Sequence, residues 1–221
     1  MADFTWSYSS LKQYQNCPKQ YQEIRVLKNY TVKESEAMIY GKEVHSALEE
    51  YVRDNKPLAK NYLRFKEMAD TLIAIPGEKH CEVEMALTKD KQRCDFHDPK
   101  RWVRGIADLL IVDGEHGFIV DYKTGSNKYP DTKQLRLMAL MAFVHFPQLN
   151  KIKAGLLFVM KDSFITAEYK REDMESSWKQ FLSPLTKLET SYETDVWRPN
   201  PTPLCGWCSV DTCQFHKPRG R

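Results

Sequence analysis

The 221-residue sequence predicts an α/β fold built around a single mixed sheet. Three observations carry that prediction. The segment "GKEVHSALEEYVRD" sets Val44, Ala47, Leu48, Tyr51 and Val52 at helical spacing, which makes an amphipathic helix. After Pro76 and Gly77 the pattern changes to that of strands. A second strong helix, from about Asp131 to Phe146 within "PDTKQLRLMALMAFVHF", then divides one run of strands from another.

In chain order, "WSYSSLKQYQNCPKQYQEIRVL" predicts short helices, with serines offering caps and Pro18 opening a new helical turn. The amphipathic helix follows, and "LRFKEMADTLIAI" predicts another. "CEVEMAL" alternates Cys81, Val83, Met85 and Leu87 against Glu82 and Glu84, as a half-exposed strand does. Two strands joined by "DGEHG" form a hairpin between Gly105 and Gly125. Beyond the central helix, "AGLLFVM" and "FITAEYK" predict strands, and "REDMESSWKQFLSPLTKLETSY" is mainly helix. One domain of three parts is expected: a helical part over 1–77, a core over 78–192, and a cysteine-bearing segment over 193–221.

A composition of 42% hydrophobic and 29% charged residues suits a soluble protein, and no apolar run approaches a membrane span. The start, "MADFTWSYSS", has no signal-peptide pattern, so the expected location is cytoplasmic, in a bacterial, archaeal or phage-infected cell, with no membrane partner. A net charge of +3 does not by itself announce a nucleic-acid partner. The distribution adds a basic bias, with six Lys or Arg against one acid from Lys123 to Lys153, and a basic tail "KPRGR". Six cysteines in such a protein point to metal or redox chemistry before disulfides.

The hairpin holds the chemistry. If Gly114 and Glu115 form a two-residue turn, Asp113 faces His116, and the register sets Asp108 opposite Asp121. Asp121 and Lys123 then share one face, with Tyr122 on the other. Two carboxylates among Leu109, Leu110, Ile111, Ile119 and Val120 are costly unless a cation or a metal ion meets them. Two acids against one lysine balance poorly as a structural salt bridge. Hard oxygen ligands of this kind suit Mg²⁺. Glu82 and Glu84 could add a ligand, although alternating acids on a half-exposed strand are usually solvated.

The ordered set "GKEVH", "GIAD", "DYKTG" and "QLRLMA" resembles the RecB-like branch of the PD-(D/E)XK nuclease superfamily, whose core is helix, three strands, helix, strand. With Cys17 in "CPKQY" and the late "CGWCSVDTC", it is similar to the iron–sulfur members, the CRISPR-associated RecB-like and AddB-type exonucleases. The resemblance spans nearly the whole chain. It implies a DNA exonuclease of phage or CRISPR type, acting on single-stranded or duplex ends and leaving 5′-phosphate and 3′-hydroxyl ends. It leaves room for a homo-oligomer or a recombination or CRISPR protein partner.

Carried onto this sequence, the resemblance makes Asp108 and Asp121 ligands of Mg²⁺ or Mn²⁺, joined by the Tyr122 carbonyl and by His45. Lys123 would orient or deprotonate the attacking water, and Gln134 would position the nucleic-acid strand. A histidine ligand tilts the choice toward Mn²⁺. The family usually has tyrosine four residues after that glutamine, and Met138 stands here instead. Cys205, Cys208 and Cys213 are spaced C-x2-C-x4-C and need a fourth ligand, which Cys17 supplies. A 4Fe–4S cluster is the first expectation, and zinc on the same four, or with His216 replacing Cys17, is the competitor. Cys81 and Cys94 are expected to be structural. Two other functions stay open at this point: a nucleic-acid-binding module that keeps the fold without catalysis, and an iron–sulfur electron carrier.

Overall fold

A computed structural model describes residues 4–32 and 34–217, so most of the basic tail lies outside the described residues. The chain forms two compact units, Met1–Ser35 with Lys179–Arg221, and Glu36–Trp178.

The first unit opens with α1 (Tyr8–Asn16), whose N-terminus is closed by a reciprocal cap. The Ser7 hydroxyl accepts the Ser10 amide, and the Ser10 hydroxyl accepts the Ser7 amide at 2.9 Å. Pro18 then starts α2 (Pro18–Tyr21), where its missing N–H is no loss, and a π-helical turn follows over Gln22–Val26. Trp6, Leu11, Tyr14, Tyr21 and Trp197 make this unit's core, with the Tyr21 and Trp197 rings stacked at 5.9 Å. The buried Tyr14 hydroxyl is satisfied by Ser191 at 2.7 Å.

The second unit begins with α3 (Glu36–Asp54), which starts five residues before the "GKEVH" stretch. A 3₁₀ turn (Lys60–Phe65) and α4 (Lys66–Ala74) follow. The sheet comprises β1 (Glu78–Thr88), the two-residue β2 (Arg93–Cys94), β3 (Arg101–Asp113), β4 (His116–Lys123), β5 (Lys151–Phe158) and β6 (Ser163–Lys170). Between β4 and β5 runs α5 (Lys133–His145), and α6 (Met174–Thr194) closes the order, passing from the second unit into the first. The strand order is β2-β1-β3-β4-β5-β6. Every neighbouring pair is antiparallel except β4–β5, where the α5 crossover makes the pair parallel. This is the mixed α/β architecture expected from the sequence.

The hairpin takes the expected register, Asp113 facing His116 and Leu109 facing Val120. Gly114 sits at φ +55 in its turn, a conformation that glycine adopts without a Cβ clash. One sheet face is covered by α3 and α4, with Val44, Leu48, Ala69 and Leu72 packed on Leu109, Ile111, Val120 and Tyr122. Each Val, Leu or Ile of this set contributes about 1.5–3 kcal/mol by leaving water. The other face receives α5, which is buried over most of its surface, from Leu135 through Phe143 with Arg136 the exception. Gly105 lets it approach: a Cβ there would stand 2.9 Å from Met138 Cε. The residue at 138 is thus a core contact with β3. Arg171 closes the C-terminal end of α5, donating to the carbonyls of Phe143 (2.8 Å), Phe146 (3.1 Å) and Leu149 (2.7 Å).

Candidate active site

Strand alternation reverses along β3, and the candidate site lies at the reversal. Gly105 faces α5, against Met138 and Met141, whereas Leu109, of the same parity, packs among the α3 and α4 side chains. A regular strand would put both on one face. On β1 the ladder pairs Cys81 with Leu109 and Val83 with Ala107, and leaves out Glu82 and Asp108 between them. Glu82 sits there at φ +48, in the left-handed region. A non-glycine residue in that region costs of order 1–3 kcal/mol and persists where its surroundings enforce it. The local twist frees two opposed carboxylates from the regular pleat.

Across the crease from α3 comes His45. One oxygen each from Glu82 and Asp108 and one His45 ring nitrogen all lie within 4.8 Å of one another. His45 Nδ1 is 3.4 Å from Asp108 Oδ2, and its Nε2 donates to the Tyr122 carbonyl at 2.9 Å. Asp108 Oδ2 also accepts the Tyr122 amide at 2.7 Å. The β3–β4 ladder stops at Leu109–Val120, and this carboxylate takes up the amide just past its end. Two carboxylates, an imidazole and a nearby backbone carbonyl are a donor set that fits a hard divalent cation.

Asp121 stands beside this trio with a different set of partners. It is 5% exposed, its Oδ2 lies 2.5 Å from Lys123 Nζ, and its Oδ1 accepts Gln134 Nε2 at 2.6 Å. Lys123 Nζ also donates to Gln134 Oε1 at 3.2 Å. Gln134, from the first turn of α5, therefore holds acid and ammonium in one fixed triangle. The structure brings together His45, Asp108, Asp121, Tyr122, Lys123 and Gln134, all expected from the sequence. It also brings in Glu82, which the alternating pattern of β1 left between a further ligand and a solvated acid. Glu84 is exposed. The only signal for Glu82 was the acid itself, because the backbone reversal that aims it leaves no periodic mark.

Without a cation the group is electrostatically loaded. Burial first, then Asp108 and Glu49, push the Glu82 carboxyl up to about 7. Burial and the Asp108 charge also raise the Asp121 carboxyl, against the pull of Lys123. For His45, burial favours the neutral ring, but Asp108, Asp121 and the Tyr122 carbonyl together outweigh it and raise its pKa. The crease thus holds protons that a bound cation would displace.

Within the first unit, Cys17, Cys205, Cys208 and Cys213 line one cavity together with His216, and all four are free thiols. Three sulfurs accept N–H donors: Cys17 from the Asn200 amide (3.5 Å), Cys205 from the Thr202 amide (3.3 Å) and Cys208 from Gln20 Nε2 (3.4 Å). Among the described residues, no three of the thiol or imidazole donor atoms here lie within 4.8 Å of one another. Four thiols converging on one cavity, with N–H donors on their sulfurs, are a donor set that fits a metal group.

No curated protein matches the chain in sequence. In fold it is similar to the SSO0001 protein, at 14% identity and a TM-score of 0.52, over 98% of this chain and 89% of that one. It is also similar to a candidate exonuclease from Eubacterium rectale, at 13% identity and a TM-score of 0.53, over 95% of this chain and 86% of that one. The sequence profile of the PD-(D/E)XK nuclease superfamily matches residues 5–213, nearly the entire chain. The chain belongs to the PD-(D/E)XK nuclease superfamily.

Proposed function

We propose that this protein is a DNA exonuclease of the RecB-like branch that uses Mg²⁺ or Mn²⁺ and leaves 5′-phosphate and 3′-hydroxyl ends. The observation that carries this reading is the meeting of His45, Glu82 and Asp108 beside the Asp121–Lys123–Gln134 triangle. When bound, a divalent ion would polarise a phosphate oxygen and lower the pKa of a coordinated water. Asp108, Asp121, Glu82, His45 and the Tyr122 carbonyl are the groups that would hold it. Lys123 keeps a positive charge where the phosphate gains negative charge in the transition state. Gln134 fixes that ammonium, through 3.2 Å to Nζ and 2.6 Å to its counter-ion, so little reorganisation is needed as charge develops. The triangle also gives Gln134 a role within the site, before any contact with the nucleic-acid strand.

In the first unit, the four cysteines would hold a 4Fe–4S cluster as a structural tie between chain ends. Zinc on the same four thiolates is the competing group.

The test uses end-labelled single-stranded and duplex DNA, with closed circular DNA as the control, with Mn²⁺ and with EDTA. Metal-dependent release of nucleotides from ends alone is the expected result, and cutting of circles would make the enzyme an endonuclease. Lys123→Ala should lower cleavage by about 10²–10³-fold. DNA binding should change little, because many phosphate contacts share the interface. Near-normal cleavage by Lys123→Ala would remove the lysine from the mechanism.

A further inference from the structure

One residue that lines the cysteine cavity carries a polar atom without an explanation. The sulfurs of Cys17, Cys205 and Cys208 each accept an N–H, while among the described residues no such bond reaches Cys213. His216 lines the same cavity three residues further on, and its backbone amide donates to the Cys213 carbonyl at 2.8 Å. Its ring Nδ1 is buried and has no hydrogen-bond partner. Leaving such a group unsatisfied is costly, and native proteins seldom do so without an ion, water or ligand to meet it.

We propose that His216 donates its Nδ1–H to a sulfur of the metal group held by Cys17, Cys205, Cys208 and Cys213. The proposal rests on the cluster reading of that cavity. His216 is then a positioning residue, not a ligand, since four thiolates already give each iron of a 4Fe–4S cluster its protein bond. Its N–H would complete a set in which the other three donors come from Asn200, Thr202 and Gln20. A hydrogen bond to sulfur draws electron density from the cluster and strengthens when the cluster gains an electron. It therefore raises the reduction potential.

The experiment compares wild type, His216→Phe, which keeps the ring without the donor, and His216→Asn, which restores an N–H. All are purified without oxygen and measured for iron content, for Fe–S stretching bands by resonance Raman, and for midpoint potential by dithionite titration. His216→Phe should keep full iron, with shifted Fe–S bands and a lower midpoint. A tenfold fall in the reduced-to-oxidised ratio at fixed potential corresponds to about 59 mV for one electron. His216→Asn should recover most of the change. Unchanged bands and midpoint at full iron would overturn the proposal. So would loss of iron from His216→Phe alongside its retention in Cys17→Ala, because His216 would then be a ligand. Failure of the underlying cluster reading is separately visible, as wild-type protein carrying zinc or no metal at all.

Discussion

The carboxylate crease and the thiol cavity each gather donors from distant stretches of sequence, but they treat charge in opposite ways. In the crease, Glu82, Asp108 and Asp121 crowd like charges together, and the metal-free fold tolerates them through raised carboxyl pKa values and the Lys123 ammonium. In the cavity, N–H groups meet three sulfurs directly, and the four thiols come from residue 17 and from residues 205–213. The contrast teaches a division of labour. A site built for chemistry holds unfavourable electrostatics that its cation relieves, and the fold stands without that cation. A site built as a cross-link should be inseparable from the fold.

The largest effect should come from breaking the cross-link. Cys208→Ala should lose the metal group and with it a loop closure spanning well over a hundred residues, worth on the order of 5 kcal/mol by the chain-entropy estimate. Denaturant melts of wild type and variant read this directly. A variant that loses its metal and melts at the wild-type midpoint would erase the contrast between the two sites.

Next in size is the response of the crease to metal. Mn²⁺ at one hundred times its dissociation constant should stabilise wild type by about 2.7 kcal/mol through mass action. Asp108→Asn keeps an oxygen able to accept the Tyr122 amide while removing one of the clustered charges. In EDTA that variant should melt no lower than wild type, and it should lose most of the gain from Mn²⁺. If Asp108→Asn is destabilised in EDTA and neither protein responds to Mn²⁺, the carboxylates are a salt-bridge network and the crease is structural too.

The same cluster sets a pH signature. Glu82 titrates near 7 in the fold against about 4.3 in an unfolded chain, so between those values the folded state holds a proton that the unfolded state has released. Its contribution to metal-free stability falls as pH rises toward 7 and is level above. Asp121 and His45, both raised, act with the same sign. Metal-free protein should therefore melt lower at pH 8 than at pH 5, and Glu82→Gln should reduce the slope. Mn²⁺ affinity should climb across the same interval, since the ion must displace those protons. A Glu82→Gln slope equal to that of wild type would take Glu82 out of the cluster.

Much of this was legible in the sequence where side-chain period and turn chemistry agree. "DGEHG" between two apolar runs gave a two-residue turn, and from it the register that sets Asp108 toward Asp121. The helix that carries His45 was legible from its apolar face, the role of His45 only through the family resemblance, and the central helix as a long apolar run before its strands. Glu82 was legible only as one of two acids that could add a ligand, because its side chain is aimed by one left-handed residue at a reversal of the pleat. A period-2 reading assumes that no such reversal occurs. The shape of α5 was likewise hidden: its near-complete burial depends on Gly105 making room for Met138, a contact between residues 33 positions apart.

The smallest expected effect probes that left-handed residue itself. If the backbone at Glu82 is held at φ +48 to aim a ligand, the conformation costs stability that the side chain's task justifies. Glycine adopts this region freely, and Glu82→Gly also removes one of the crowded acids. Against this, glycine makes the unfolded chain more flexible, by about 0.4–1 kcal/mol. The relieved strain matches or exceeds that loss, so metal-free Glu82→Gly should be as stable as wild type or more so, by up to about 2.6 kcal/mol. Glu82→Ala removes the same carboxylate but keeps the Cβ, and should be the less stable of the two. Both should bind Mn²⁺ more weakly than wild type. Melting temperatures of the two variants in EDTA separate backbone from charge. An alanine variant more stable than the glycine one, by about the 0.4–1 kcal/mol that glycine's flexibility costs, would mean that φ +48 costs nothing here, and that charge alone distinguishes the crease from the cavity.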